Sequence, residues 1–274
     1  MGSESFKFGF FNALKILKNY LPEIIIGGGW VPFLYYRYLV ADKNKQALFT
    51  KDIDLLVKEN LPVVKEKTVD QLLTEAGLES AFKSRDNPPL IHYEGNIEGF
   101  EVEIEFLTDQ KGSRPDTVIK VQEGLHAEAL RFLSILVENT INLELGDVEP
   151  PLSIKVPSPE AFILNKGLVF PRRRDRLKSA KDLYYVFDIL STCTQLRPEI
   201  INGLNYLQQK YPVWFGAFVK NIGTTFADID SEGVLMVLSQ RPSGAFLNMQ
   251  DDQLRQYILG IFLELLGDLN TVSA

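Results

Sequence analysis

The chain has 274 residues, 45% of them hydrophobic and 24% charged. That suffices for one large domain or two modest ones and excludes disordered and fibrous architectures. Lys and Arg number 29 against 36 Asp and Glu, a net charge of −7, so a generally basic nucleic-acid-coating protein is excluded. One cysteine, Cys193, and two histidines, His92 and His126, leave no intramolecular disulfide and no thiolate- or histidine-rich metal centre. Carboxylates remain as ligands for a hard cation such as Mg²⁺.

Residues 7–20 have helical apolar spacing, closed by Pro22. Residues 23–26 are a short β-branched run ending in Gly27-Gly28-Gly29, which predicts a strand entering a glycine turn, and 30–41 return to a helical pattern. The apolar stretch 24–36 is too short to cross a bilayer core of about 30 Å. The first residues lack the layout of a signal peptide, so a cytoplasmic protein with no membrane partner is expected. Residues 50–57 (Thr-Lys-Asp-Ile-Asp-Leu-Leu-Val) alternate and then turn apolar, as a largely buried strand does. A helix is predicted over 69–82, strands at 90–93, 100–108 and 117–121, a helix over 127–139 and a last strand at 152–156. Beyond Pro157 helical periodicity dominates, at 158–170, 174–191, 197–209 and 250–267.

The order predicts an α+β protein. An α/β domain with a mixed sheet occupies 1–150, and a mostly α-helical domain occupies 151–274, divided where Glu149-Pro150-Pro151 breaks the chain. Residues 151–274 carry 13 basic and 12 acidic side chains against 16 and 24 in the first 150, so the acidity belongs to the N-terminal domain.

Three features of that acidic part bear on chemistry. Glycines at a strand–helix turn let a backbone approach a phosphate, although such runs also arise for steric reasons alone. The run is neither a P-loop nor a Gly-x-Gly-x-x-Gly fingerprint. Asp52 and Asp54 share one strand face, with Ile53 on the other. Like charges at that distance suit a divalent cation between them; the alternative is a solvated strand end. In 100–108, Glu101, Glu103 and Glu105 share a face opposite Phe100, Val102, Ile104 and Phe106. The alternative here is an edge strand with a wet face, while a third carboxylate beside the Asp pair would complete a two-metal cluster.

In the helical part, 161–170 is apolar nearly all round, with Lys166 its only charge. Such a lysine needs an anion. A phosphate, Asp188 or another acid would serve, and if the anion is a ligand, Met in its place should cost little stability. Residues 172–181 hold Arg172, Arg173, Arg174, Arg176, Lys178 and Lys181 against one acid, Asp175. Helical spacing puts Arg174, Lys178, Lys181 and Tyr185 on one stripe, opposite Leu177, Ala180, Tyr184, Phe187 and Ser191. Asp182, four residues after Lys178, orients it or forms a routine surface pair. His92, His126 and Cys193 read as structural.

The glycine turn, then Thr-x-Asp-Ile-Asp-Leu at 50–55, then an acid on a later strand, resembles the polymerase-β-type nucleotidyltransferase superfamily. Lys166, the arginine cluster and Lys181-Asp182 after Pro-Ser-Pro-Glu at 157–160 are similar to its abortive-infection toxin branch and to related bacterial nucleotidyltransferase-like proteins. The resemblance covers 23–57, 100–108 and 157–190. It implies that Gly28 and Gly29 cradle a triphosphate near Thr50. Asp52 and Asp54 would bind metal with Glu105 as third ligand, Glu103 being the second choice. Lys166, Lys178, Lys181 and Asp182 would face the nucleotide. Two positions depart from the family pattern: the third acid is Glu where Asp is usual, and Trp30 follows the glycines where a small residue is common.

The implied reaction, in a cleft between the domains, moves a nucleoside monophosphate from an NTP to a hydroxyl of an RNA, protein or small molecule. Pyrophosphate leaves, with Mg²⁺ or Mn²⁺ as cofactor and an antitoxin-like protein as possible partner. The competing expectation is an inert nucleotide- or RNA-binding module.

Overall fold

The structure is a computed structural model and describes residues 3–48, 50–82, 91–110, 112 and 118–271. The chain divides into two units, Met1–Pro157 and Ser158–Ala274.

The first unit runs α1 (Ser3–Ile16), β1 (Ile25–Ile26), α2 (Trp30–Leu34, continued by a π turn over Tyr35–Leu39), β2 (Asp52–Leu56), α3 (Val69–Glu75) and β3 (Leu78–Phe82). It continues β4 (Ile91–Ile97), β5 (Phe100–Asp109), β6 (Val118–Gln122), β7 (Leu125–Leu130), α4 (Leu133–Glu138), β8 (Thr140–Leu145) and β9 (Leu152–Pro157). The strands form one mixed sheet in the order β3-β4-β5-β2-β1-β9-β8, with β7 beside β5 and β6 beside β7. Pairing is parallel for β2 with β5, β1 with β9 and β5 with β7, and antiparallel elsewhere.

Alternation fixes which face of the central strands is covered. Ile53 and Leu55 of β2 and Val102, Ile104 and Phe106 of β5 are buried. Helix α1 packs on β5, with Phe8 stacked on Phe100 at 5.5 Å between ring centroids. Phe10 stacks on Trp30 at 4.1 Å, so the bulky residue after the glycines is a core residue. On the opposite face, Leu56 and Leu107 join Ile25, Leu133 and Leu136 in a separate apolar cluster under α4.

Three stretches differ from the periodicity reading. The helix expected over 69–82 stops at Glu75; Gly77 takes φ +84°, a left-handed conformation that ends a helix, and residues 78–82 become the edge strand β3. The expected helix over 127–139 is a strand followed by a short helix. Leu125, Ala127 and Ala129 are buried at period 2, and α4 starts only at Leu133. Strand β8 was not anticipated. It pairs with β9, which also pairs with β1, so the Pro150-Pro151 segment is a connection within the sheet and the units part at Pro157. Leu90 and Thr117, the first residues of two expected strands, lie outside the described residues.

The second unit comprises α5 (Pro159–Val169), α6 (Arg176–Thr192), α7 (Arg197–Lys210), α8 (Pro212–Thr225), α9 (Glu232–Ser239) and α10 (Asp251–Thr271). Helix α5 is buried nearly all round because α6, α7 and α8 pack against it. Helices α8 and α9 were not anticipated. Among the described residues, no helix is long and apolar enough to cross a membrane.

One buried polar network ties the segment after β2 to β6. The Tyr20 hydroxyl donates to Lys67 O (2.6 Å) and accepts from Val64 N–H and Gln122 Nε2, both at 3.0 Å. Gln122 Nε2 lies 2.8 Å from Pro62 O, and its Oε1 accepts from Val69 N–H at 2.7 Å. Replacing Gln122 with Leu strands the buried Val69 N–H and Leu61 carbonyl, each costing about 1–3 kcal/mol. Urea unfolding of Gln122→Leu should therefore show a loss of about 3 kcal/mol; a loss below about 1 kcal/mol would contradict this network.

Candidate active site

Parallel pairing of β2 and β5 sets Asp52 opposite Glu103 and Asp54 opposite Glu105. Antiparallel pairing of β5 with β4 sets Glu103 opposite Glu94 and Glu105 opposite His92. Two rows therefore cross three strands on one face: Asp52–Glu103–Glu94 and Asp54–Glu105–His92. Side chains directly opposite on one sheet face have Cβ atoms about 5 Å apart. Asp52, Asp54, Glu103 and Glu105 are half-buried, whereas Glu101, opposite Asn96, is exposed. One pleat further along, the same face turns apolar at Leu56 and Leu107. The acids thus stand at the margin of a covered surface.

The glycine turn lies against this face. Gly27 N–H donates to Asp54 O at 2.8 Å, extending the β1–β2 pairing by one residue. Gly28 has φ +60°, and a Cβ there would lie 1.7 Å from Asp54 Oδ2. Both its conformation and its contact with the carboxylate require glycine. Gly29 caps the five-residue α2 without a side-chain hydrogen bond. Thr50 is half-buried just before β2.

The oxygen-only donor set of Asp52, Asp54, Glu103 and Glu105 fits a hard divalent cation. Among the described residues no three His, Cys, Asp or Glu side chains converge closely enough to hold an ion. The backbone brings the acids into register without converging their side chains on one point.

His92 belongs to this face, which the sequence reading missed. Its side chain is 9% exposed, its Nε2 lies 3.0 Å from Glu94 Oε2 and 3.9 Å from Glu103 Oε1, and its Nδ1 is buried with no hydrogen-bond partner among the described residues. The available signal was the spacing in Ile91-His92-Tyr93-Glu94, which puts His92 and Glu94 on one strand face.

In the second unit Lys166 does have an anion. Its Nζ lies 2.7 Å from Asp182 Oδ1, while Arg173 Nε reaches Asp182 Oδ2 at 2.9 Å. The Lys166 and Asp182 side chains are 9% and 4% exposed. The acid is thus Asp182, not Asp188, and Asp182 serves Lys166 and Arg173 instead of orienting Lys178. Burial alone would push the Asp182 carboxyl up, but the Lys166 and Arg173 cations outweigh it and hold it below the usual carboxylate range.

The expected basic stripe divides differently too. Arg174 precedes the helix, which Asp175 caps by accepting from Leu177 N–H at 2.8 Å. Leu177 is 71% exposed and Tyr185 is buried, the reverse of the expected faces. Residues 171–178 are exposed through the connection and the first residues of α6, where Arg176 pairs with Glu232, and burial begins at Ser179. Lys178 is exposed and Lys181 half-buried.

A family model described as Nucleotidyltransferase matches residues 13–204, from α1 into α7, and takes in both the acidic face and the Lys166–Asp182 pair. The chain belongs to this nucleotidyltransferase family. It is an enzyme of the nucleotidyltransferase type, and its mixed sheet followed by a helical region is the architecture expected. Among solved structures, an antigenic nucleotidyltransferase-like protein from Paracoccidioides brasiliensis is similar at 20% identity and a TM-score of 0.39, over 78% of this chain and 92% of that one. No curated protein matches this nucleotidyltransferase.

The buried pair reverses one expectation. Lys166→Met leaves the Asp182 carboxylate buried with Arg173 alone, so at pH 7 it should cost about 3–5 kcal/mol of stability, the range for breaking a buried ion pair. Because the folded carboxyl titrates below its unfolded value near 4, this stabilisation is present above about pH 4 and is lost as pH falls through the folded value. Urea unfolding at pH 7 and pH 3 should show the gap between wild type and Lys166→Met shrinking in acid. A gap equal at both pH values would contradict the pairing.

Proposed function

We propose that this enzyme transfers a nucleoside monophosphate from an NTP to an acceptor hydroxyl, releasing pyrophosphate, with Mg²⁺ or Mn²⁺ held by Asp52, Asp54 and Glu105. The observation that carries this reading is the parallel β2–β5 register, which sets Asp54 beside Glu105 and Asp52 beside Glu103 on one half-buried face. A divalent cation bound there would lower the pKa of the attacking hydroxyl and neutralise charge on the phosphates. In the covalent step the acceptor oxygen bonds to the α-phosphorus, the bond from that phosphorus to the α–β bridging oxygen breaks, and the hydroxyl proton passes to solvent.

The chain's own groups divide the remaining work. Gly28 offers backbone without a side chain against Asp54, and the Gly28-Gly29 backbone is assigned to the triphosphate. The Thr50 hydroxyl, two residues before the start of β2, is assigned to the same phosphates. Lys178 and Lys181 are assigned to nucleotide phosphate as screened cations of the second unit. Lys166 and Asp182 act through Arg173, which the pair fixes in position. The acceptor is an RNA, a protein or a small molecule bearing a free hydroxyl.

The test is metal-dependent release of pyrophosphate from labelled NTPs offered with a panel of RNAs and proteins. Asp52→Asn and Asp54→Asn should each lower turnover by about 100-fold or more, the scale for losing a group that organises transition-state charge. The fold should persist, and metal-free melting should stay level or rise, because like-charge repulsion is relieved. Near-normal turnover in either variant would overturn the metal assignment. NTP binding without pyrophosphate release from the wild type would mark an inert binding module instead.

A further inference from the structure

Glu94 and Glu103 stand directly opposite each other on β4 and β5, a like-charge pair that repels unless something lies between. His92 supplies that group. It is itself register-paired with Glu105, yet its Nε2 does not serve that partner. It lies 3.0 Å from Glu94 and 3.9 Å from Glu103, on the side of the other row. An N–H on Nε2 donates to Glu94 and presents positive charge density to Glu103. At 9% side-chain exposure the ring has little room to swing elsewhere. Glu103 has two cross-strand neighbours: Glu94 on β4, with the imidazole, and Asp52 on β2. The imidazole biases it toward β4.

We propose that His92 is a positioning residue that draws Glu103 toward Glu94 and so assigns Glu105 as the glutamate that joins Asp52 and Asp54 around the cation. Strand alternation cannot distinguish the two glutamates, since both face the same way. The imidazole breaks that equivalence. The contact requires only the tautomer that carries its proton on Nε2. This inference rests on the carboxylate site proposed above.

The experiment is titration of the full chain with Mn²⁺ alone, read by the electron paramagnetic resonance of the free ion, so no turnover is needed. Asp52→Asn should abolish binding. Glu105→Gln should weaken it about 10-fold or more, and Glu103→Gln by no more than about threefold. His92→Ala removes the imidazole's pull on Glu103 toward Glu94, so His92→Ala/Glu105→Gln should bind Mn²⁺ several-fold more tightly than Glu105→Gln alone. His92→Gln, which keeps an N–H donor at similar reach, should give no such recovery. A merely structural histidine would make the double variant additive or worse, and that result overturns the proposal. Equal losses in Glu103→Gln and Glu105→Gln also overturn it, even should His92→Ala fail to fold. Mn²⁺ binding indifferent to Asp52→Asn would instead bring down the carboxylate site itself, and the role of His92 with it.

Discussion

Parallel pairing of β2 with β5 is the constraint on which the rest of the first unit depends. It aligns Asp52 and Asp54 with Glu103 and Glu105, an arrangement that electrostatics alone opposes. The opposite faces decide the contest. Ile53, Leu55, Ile104 and Phe106 are buried there, each worth about 1.5–3 kcal/mol when fully covered. Facing like charges cost about 0.2–1 kcal/mol per pair. A slip of one residue would expose the apolar set and bury the acids, so the register is held from behind. The repulsion that remains on the front face is what a divalent cation would relieve.

The two units handle buried charge in opposite ways. Asp182 is enclosed with two cations and its ionised form is favoured despite burial. That arrangement is an internal brace between α5, α6 and the turn that joins them. On the acidic face the register partners carry the same sign, His92 excepted, and every one of these acids keeps some exposure. The glycine turn follows from the same logic. Gly28 leaves Asp54 its space by having no Cβ, and Trp30, two residues on, anchors the turn in the core against Phe10.

The division into a mixed-sheet part and a helical part was legible in the sequence, as were β2, β5 and the faces of their acids, because period 2 holds across 52–55 and 100–106, where the acids lie. The edges of elements were not. At 69–82 the apolar spacing of α3 runs on into Leu78 and Phe82, and only the backbone of Gly77 separates helix from strand. At 125–130, Leu, Ala and Ala are compatible with either period, and pairing with β5 and β6 decides for strand. Strand register is a long-range property, so neither the partner of Glu105 nor the place of His92 could be read locally. For Lys166 the need for an anion was legible, but its identity depended on how α5 meets α6, where a residue 16 positions away in sequence closes the pair.

The most direct test of the carboxylate face is a crystal of the full chain soaked in Mn²⁺, with anomalous scattering used to locate the ion. A peak ligated by Asp52, Asp54 and Glu105, beside the Gly28 turn, is the result expected from the β2–β5 register. Saturating Mn²⁺ with no peak on that face, or an ion bound by other residues, would contradict it.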